Sequence, residues 1–319
     1  MSIQQLKYLI ALDDLRHFGL AAKHCFVAQP TLTTQFKKLE EELGVQLIDR
    51  QATPIRPTRI GEKIVAQARL ILDDVAGLHS MLEEETATIS GTYVLGIIPT
   101  LAPYLLPLFI SSFSKKFPEV HLNIREMQSE QIMKGLKRKQ IDVGLLVTPL
   151  EEKQLREIPL YYEPFLIYAS PEEKILQRSP LLPKHVDPRS LWILQQGHCF
   201  RNQMLNICNS SSGTVAVAEN SSGPDVGSIT FQAGSIETLK NMVKNNHGYT
   251  IIPEMSVHAE LDEYHINRFA PPQPAREVSL VVSKSFSREK LLLELRKAIL
   301  EVVPEDFRKH DRYVGVAWR

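Results

Sequence analysis

The 319-residue chain has little cysteine, few aromatics and no net charge: three Cys, 7% Phe, Trp and Tyr, and 37 Lys and Arg against 37 Asp and Glu. Three cysteines form neither an extracellular disulfide framework nor a zinc-site spacing, so no metal and no cofactor is expected. No apolar run approaches the length of a membrane span, and the start Met-Ser-Ile-Gln-Gln-Leu-Lys lacks the apolar core and cleavage site of a signal peptide. A cytoplasmic protein without membrane contact is expected, and there a disulfide is transient rather than structural. Overall neutrality hides a small asymmetry. Residues 1–70 carry ten Lys and Arg against seven Asp and Glu, which leaves 27 against 30 for the remainder. That makes the front mildly basic, weak support for a nucleic-acid partner, because phosphate affinity comes from local contacts.

Two of the three cysteines lie in one stretch, Gly197-His198-Cys199-Phe200-Arg201-Asn202-Gln203-Met204-Leu205-Asn206-Ile207-Cys208. Thiols react as thiolates, and cationic neighbours such as His198 and Arg201 favour that form. If the stretch is helical, nine residues at about 1.5 Å rise hold the two Cα atoms roughly 13 Å apart. A disulfide needs them within about 7 Å. Either the thiols never meet, or meeting requires the segment to refold.

The front of the chain reads as helices. Ile3, Leu6, Leu9 and Ile10 open a first one, and Leu20 to Phe26 forms a short second after the His17-Phe18-Gly19 break. Val27 to Pro30 makes a turn, and Thr31 to Leu43 is a third helix that stops at Gly44. Leu32, Phe36, Leu39 and Leu43 form its buried face, which leaves Gln29, Pro30, Thr31, Thr33, Thr34, Gln35, Lys37 and Lys38 for base edges and phosphates. Two short helices joined by a tight turn read as helix-turn-helix. Residues 45–58 read as a two-stranded wing carrying Arg50 and Arg56, with Arg59 just beyond. The plainer alternative is a three-helix module with a solvated charged face. Cys25 reads as a small buried hydrophobe on the inner helix. Ile64, Ala68, Ile71, Val75, Leu78 and Leu82 then follow a heptad seam, which favours a helix that pairs with a second copy. Glu83 to Thr88 ends that helix and forms a linker.

From residue 91 strand-like and helix-like runs alternate. Strands are expected at 93–98, 120–124 and 141–147, with helices at 101–117 and 129–139. This is a βαβαβ pattern with a parallel sheet. Shorter strands are expected at 158–162, 164–169 and 191–195. A helix from Ser235 to Gly248, strands at 249–253 and 278–282, and a helix at 287–303 complete the chain. Thr100, Ser129 and His198-Cys199 each fall where a strand gives way to a helix. Taken singly, Thr100 and Ser129 could be no more than capping or loop residues.

The run Ala21-Ala22, Gln29-Pro30-Thr31-Leu32, Lys38-Leu39-Glu40, Glu42-Leu43-Gly44-Val45, Leu47, Arg50 and Pro57-Thr58 resembles the winged helix-turn-helix of the LysR-type transcriptional regulators. Gly197-His198-Cys199 with Arg201 and Cys208, Ile98-Pro99-Thr100, Pro103 to Pro107, His17-Phe18, Cys25 and Ser235 to Val243 resemble that family's hydrogen-peroxide-sensing branch. The resemblance implies an all-α winged helix-turn-helix domain over 1–58, a linker and dimerisation helix over 59–90, and a two-lobed, periplasmic-binding-protein-like α/β regulatory domain over 91–319. Lobe I would take 91–163 and 270–319, and lobe II 164–269. It further implies Cys199 as peroxidatic and Cys208 as resolving thiol, with Thr100, Ser129, His198 and Arg276 around the peroxide. The implied partners are promoter DNA, hydrogen peroxide, RNA polymerase, cytoplasmic thiol reductants and further copies in a homodimer or homotetramer; the implied output is activation of antioxidant genes. The chain departs from the pattern at Ala28, where serine is usual, at Ser129 for threonine and at Asn202 for aspartate. Residues 209–230 are longer and richer in Ser and Gly than usual. The competing expectation is a regulator of the same family that senses a small metabolite, with inert thiols titrating at or above about 8.5. A thiol peroxidase is disfavoured, because an enzyme has no use for a recognition helix.

Overall fold

A computed structural model describes residues 1–85, 89–209 and 233–318. The chain divides into two compact units, Met1–Thr88 with Ser285–Glu289, and Ile89–Lys284 with Lys290–Arg319.

The first unit is built of α1 (Ile3–Leu15), α2 (Phe18–His24), α3 (Gln29–Leu43), strands β1 (Ile48–Asp49) and β2 (Arg56–Pro57), and α4 (Arg59–Glu85). Ser2 caps α1, accepting from the Gln5 amide while the Gln5 side chain accepts from the Ser2 amide. His17 does not break the chain but caps α2 through Nδ1, so that helix starts at Phe18, earlier than its apolar spacing suggests. Ala28 stands at the α3 N-cap and makes no side-chain bond there. Gly44 ends α3 in the left-handed conformation (φ 69°). Leu9, Leu12, Ala21, Leu32, Phe36, Leu39, Leu47, Val65 and Ala68 form the core. Cys25 caps the end of α2 and is half-buried, rather than fully inside. The side chains of Leu78 and Leu82, the Thr86 to Thr88 part of the expected linker, and the 210–230 part of the Ser- and Gly-rich stretch lie outside the described residues.

The wing is pressed onto the start of α4. Thr58 donates its backbone N–H to the Leu47 carbonyl at 2.9 Å, and its hydroxyl accepts from the Gly61 amide at 3.0 Å. A Cβ on Gly61 would stand 2.0 Å from that same carbonyl oxygen. Gly61→Ala is therefore expected to cost about 1–3 kcal/mol through overpacking. Denaturant melts of the full chain check this; unchanged stability would refute it.

The second unit holds one curled eight-stranded sheet. Strand β3 (Gly91–Ile97) pairs in parallel with β4 (Val120–Glu126) and with β5 (Val143–Thr148), and α5 (Ala102–Lys116) and α6 (Ser129–Lys137) are the crossovers. The expected strands at 158–162 and 164–169 are one strand, β6 (Leu155–Ala169). Its prolines fall where pairing changes: Pro159 at a register shift against β9 (Gln273–Ser283), and Pro164 just before pairing with β7 (Tyr249–Pro253) begins at Phe165. Residues 191–195 form no strand. Among the described residues their strand-type pairing is limited to isolated bridges at Leu191 and Leu194. The remaining elements are α7 (Cys199–Asn209), α8 (Ile236–Asn245), α9 (Ala259–Asp262), β8 (Ile266–Arg268), α10 (Glu289–Val302) and β10 (Tyr313–Gly315).

The unit is two-lobed, and the long strands β6 and β9 are common to both lobes. Lobe II has its own core, to which α7 contributes Phe200, Met204, Ile207 and Cys208. These positions recur at helical spacing and fix one face of α7 inward. Among the described residues, no helix is long and apolar enough to cross a membrane.

Candidate functional site

The start of α7 is placed by a close approach of two loops. Gly197 adopts φ +95°, and a Cβ there would meet the Gln128 side chain at 2.7 Å. Gln128 precedes α6, its backbone N–H donating to Gln131 Oε1 at 3.1 Å, and Ser129 is the first residue of that helix and buried. The glycine thus lets the loop carrying His198 press against the start of α6. The Ser129 side chain is close enough to the Cys199 sulfur to favour its thiolate. Cys199 itself sits at the N-terminus of an 11-residue helix, where the exposed N–H dipoles favour negative charge.

Arg276 enters from β9. Cross-strand register sets it opposite Glu163 of β6, 113 residues away in sequence. Its Nε donates to Glu163 Oε2 at 2.8 Å, Nη1 to the Thr100 hydroxyl at 2.9 Å and Nη2 to the Thr100 carbonyl at 2.9 Å. Glu163 also accepts from the Met255 amide at 3.0 Å. Arg276, Glu163 and Thr100 are all buried, and the guanidinium lies 5.7 Å from the centre of the Phe200 ring, next to Cys199 in the chain. The positive charge is therefore fixed on every side.

Burial pushes the Cys199 thiol up, while the Ser129 hydroxyl and the Arg276 charge pull it back. The two cationic neighbours read from sequence are placed differently. Burial lowers His198 despite the Glu126 charge, which favours the neutral imidazole over the cation. Arg201 donates to the Leu194 carbonyl at 2.7 Å within lobe II. The cation acting on Cys199 is Arg276. Asn202 points to the Trp318 carbonyl at 2.9 Å and not to the thiol. Cys208 lies in the lobe II core, and burial, with the Asp187 charge adding to it, pushes its thiol up to about 12.

In the first unit α3 exposes Gln29, Pro30, Thr31, Thr34, Lys37 and Lys38, with Thr33 and Gln35 half-buried. The Thr33 hydroxyl donates to the Gln29 carbonyl at 2.9 Å, and Lys37 lies 3.6 Å from Glu41. Arg50 donates to Glu40 Oε2 at 2.7 Å and lies 5.5 Å from the centre of the Phe18 ring. Buried Glu40 in turn accepts from the Leu47 amide at 2.8 Å, so this pair braces the wing. Arg56 is exposed, 3.8 Å from Asp49.

The sequence model of the bacterial regulatory helix-turn-helix proteins of the lysR family matches residues 3–62, and that of the LysR substrate binding domain matches residues 86–304. The chain belongs to the LysR family. It is a DNA-binding transcriptional regulator and not an enzyme. A Haemophilus influenzae protein named hydrogen peroxide-inducible genes activator is 35% identical over 88% of this chain and 90% of its own length. The DNA-binding transcriptional dual regulator OxyR of Escherichia coli K12 is 34% identical over 88% and 89%. Among solved structures, full-length OxyR C199D from Pseudomonas aeruginosa superposes with a TM-score of 0.80 at 27% identity, covering 97% of this chain and 98% of that one.

Sequence reasoning passed over three residues of this LysR-family site. Glu163 stands alone as a charge in the otherwise apolar run from Leu160 to Ala169, which was a usable signal. Gln128 gave none. Tyr104 sits in a quoted motif without a role; its hydroxyl donates to Glu237 Oε1 at 2.8 Å, joining α5 of lobe I to α8 of lobe II.

Proposed function

We propose that this chain is a peroxide-responsive transcriptional regulator, switched by a reversible Cys199–Cys208 disulfide and activating antioxidant genes. The observation that carries the reading is the convergence of the Ser129 hydroxyl and the Arg276 charge on Cys199, nine residues from a second thiol on the same helix. The names of the H. influenzae and E. coli relatives support the choice of peroxide as signal.

In this reading the Cys199 thiolate attacks one peroxide oxygen. An S–O bond forms, the O–O bond breaks, and the departing hydroxide takes up a proton to leave as water. Thr100, Ser129, His198 and Arg276 bind the peroxide and stabilise the charge that develops on the departing oxygen. The product is a sulfenic acid. Cys208 attacks its sulfur, the S–S bond forms, the S–O bond breaks and a second water leaves. Two thiols and one peroxide thus give one disulfide and two waters. Because α7 holds the thiols roughly 13 Å apart, it must open for the second step. That rearrangement would reshape the face by which regulatory domains (91–319) pair. It would turn the winged domains (1–58), held in a dimer by the linker helix (59–90), within a homodimer or homotetramer on promoter DNA, and so change access for RNA polymerase. Cytoplasmic thiol reductants would reset it.

A reading as a metabolite-sensing regulator has one observation in its favour: burial raises Cys199, as it would an inert thiol. Stoichiometric peroxide followed by disulfide mapping by mass spectrometry separates the two. A Cys199–Cys208 link, with loss of the response in Cys199→Ser, is expected. A missing link, or a Cys199→Ser protein that still responds, rejects the proposal.

A further inference from the structure

The segment that follows β10 is held by the redox helix itself. Strand β10 pairs in parallel with Gln273, Pro274 and Ala275 of β9, next to Arg276, and the Val316 amide adds a bond to the Ala275 carbonyl at 2.8 Å. The next three carbonyls are each taken by an amide side chain of α7. Gln203 Nε2 donates to Val316 O at 2.8 Å, Asn206 Nδ2 to Ala317 O at 2.8 Å and Asn202 Nδ2 to Trp318 O at 2.9 Å. Trp318 is buried, and its indole N–H donates to the Pro149 carbonyl at 3.1 Å.

We propose that residues 316–318 form a strap over α7, with Asn202, Gln203 and Asn206 as positioning residues, that favours the dithiol state and is released when the disulfide forms. The inference rests on the Cys199–Cys208 chemistry proposed above and adds a structural element to it. All three amides lie between the two cysteines. In the helix they stand at i, i+1 and i+4, which brings 202 and 206 onto one stripe with 203 beside it. Closing roughly 13 Å to under 7 Å takes the 199–208 segment out of the continuous helix, and the strap reading holds that Asn202, Gln203 and Asn206 lose their common spacing as it opens. The strap carbonyls would then lose their donors together, and Trp318 would keep only its contacts away from α7. Conversely, any strap bond made only in the helical state shifts the thiol–disulfide equilibrium toward the thiols, because a group that binds one state stabilises that state.

The test uses the full-length protein in glutathione buffers, where two protein thiols and one oxidised glutathione exchange for one protein disulfide and two reduced glutathiones. In Asn202→Ala/Asn206→Ala, which alters side chains at or near the surface, the equilibrium constant for disulfide formation is expected to rise about tenfold or more. Each factor of ten appears as about 30 mV toward a more negative potential. A melting curve of the dithiol form confirms that the variant is folded. In the unaltered protein, hydrogen exchange read by mass spectrometry should show the amides of 314–316 exchanging at least tenfold faster once Cys199 and Cys208 are linked. An unchanged potential in a folded double variant, or a linked protein whose 314–316 amides stay protected, overturns the strap while leaving the disulfide reading standing. Absence of any Cys199–Cys208 link in the unaltered protein overturns both.

Discussion

Replacing Arg276 with methionine is expected to slow peroxide oxidation of Cys199 by about two to three orders of magnitude, the usual loss when a fixed charge-stabilising group is removed. It should also destabilise the regulatory unit by about 3–5 kcal/mol, because Glu163 stays behind, fully buried and without its cation. These effects have different origins and can be separated. Arg276 binds Glu163 on one side, Thr100 on another, and lies over Phe200 on a third. Replacing Glu163 with leucine in the same chain removes the orphaned carboxylate, so Arg276→Met/Glu163→Leu should regain most of the lost stability. It should not regain the rate, since no charge then stabilises the thiolate or the departing hydroxide. Stopped-flow oxidation and denaturant melts of both proteins measure the two quantities. A double variant that recovers the rate as well would mean that Arg276 serves the packing and not the chemistry.

The same residues mark how far the sequence could be read. Gly44 after α3 and a long helix over the heptad positions follow from local spacing, and so does the separation of the two thiols once Cys199–Asn209 is helical. The wing expected over 45–58 is present as two short paired strands, Ile48–Asp49 and Arg56–Pro57. What depended on distant parts of the chain was less legible. His198 and Arg201 look like cations beside a cysteine, but burial favours the neutral form of the first and the second is drawn off by the Leu194 carbonyl. The working cation comes from β9 and is placed by a cross-strand pair that no local pattern encodes. Asn202, which stands where aspartate is usual, faces the Trp318 carbonyl, 116 residues later. The strands expected at 158–162 and 164–169 run on as one, because the missing N–H of Pro159 and Pro164 matters only where a partner strand needs it, and partners cannot be seen in sequence. Arg50 of the wing pairs with buried Glu40, a partner ten residues back that no local pattern marks.

Raising the pH should destabilise this protein in a way that traces to Cys208. Folded, its thiol titrates at about 12 against an ordinary 9.0, chiefly because it is buried among Trp192, Met204 and Ile207 in lobe II, with Asp187 adding to the effect. Below about pH 9 both folded and unfolded chains keep the proton, and the contribution is complete. Between about 9 and 12 only the folded chain keeps it, so unfolding releases a proton. Stability then falls by about 1.4 kcal/mol per pH unit, or about 4 kcal/mol over the whole window. Tyr249, also raised by burial, adds to the slope above its ordinary 10.0. Cys208→Val, close in volume and without a proton to lose, should therefore lose less stability between pH 8.5 and 10.5 than the unaltered chain, by an amount approaching one proton's worth. Urea melts at several pH values read this directly; equal slopes would show that Cys208 is not the titrating group. The same burial bears on the proposed switch. At neutral pH Cys208 is a protonated thiol anchored in a core, so it cannot reach a sulfenic acid on Cys199 until α7 opens. The sulfenic acid should consequently persist long enough to be trapped by dimedone even with Cys208 present. Loosening that core by Met204→Ala should shorten its lifetime, because the helix then opens more often.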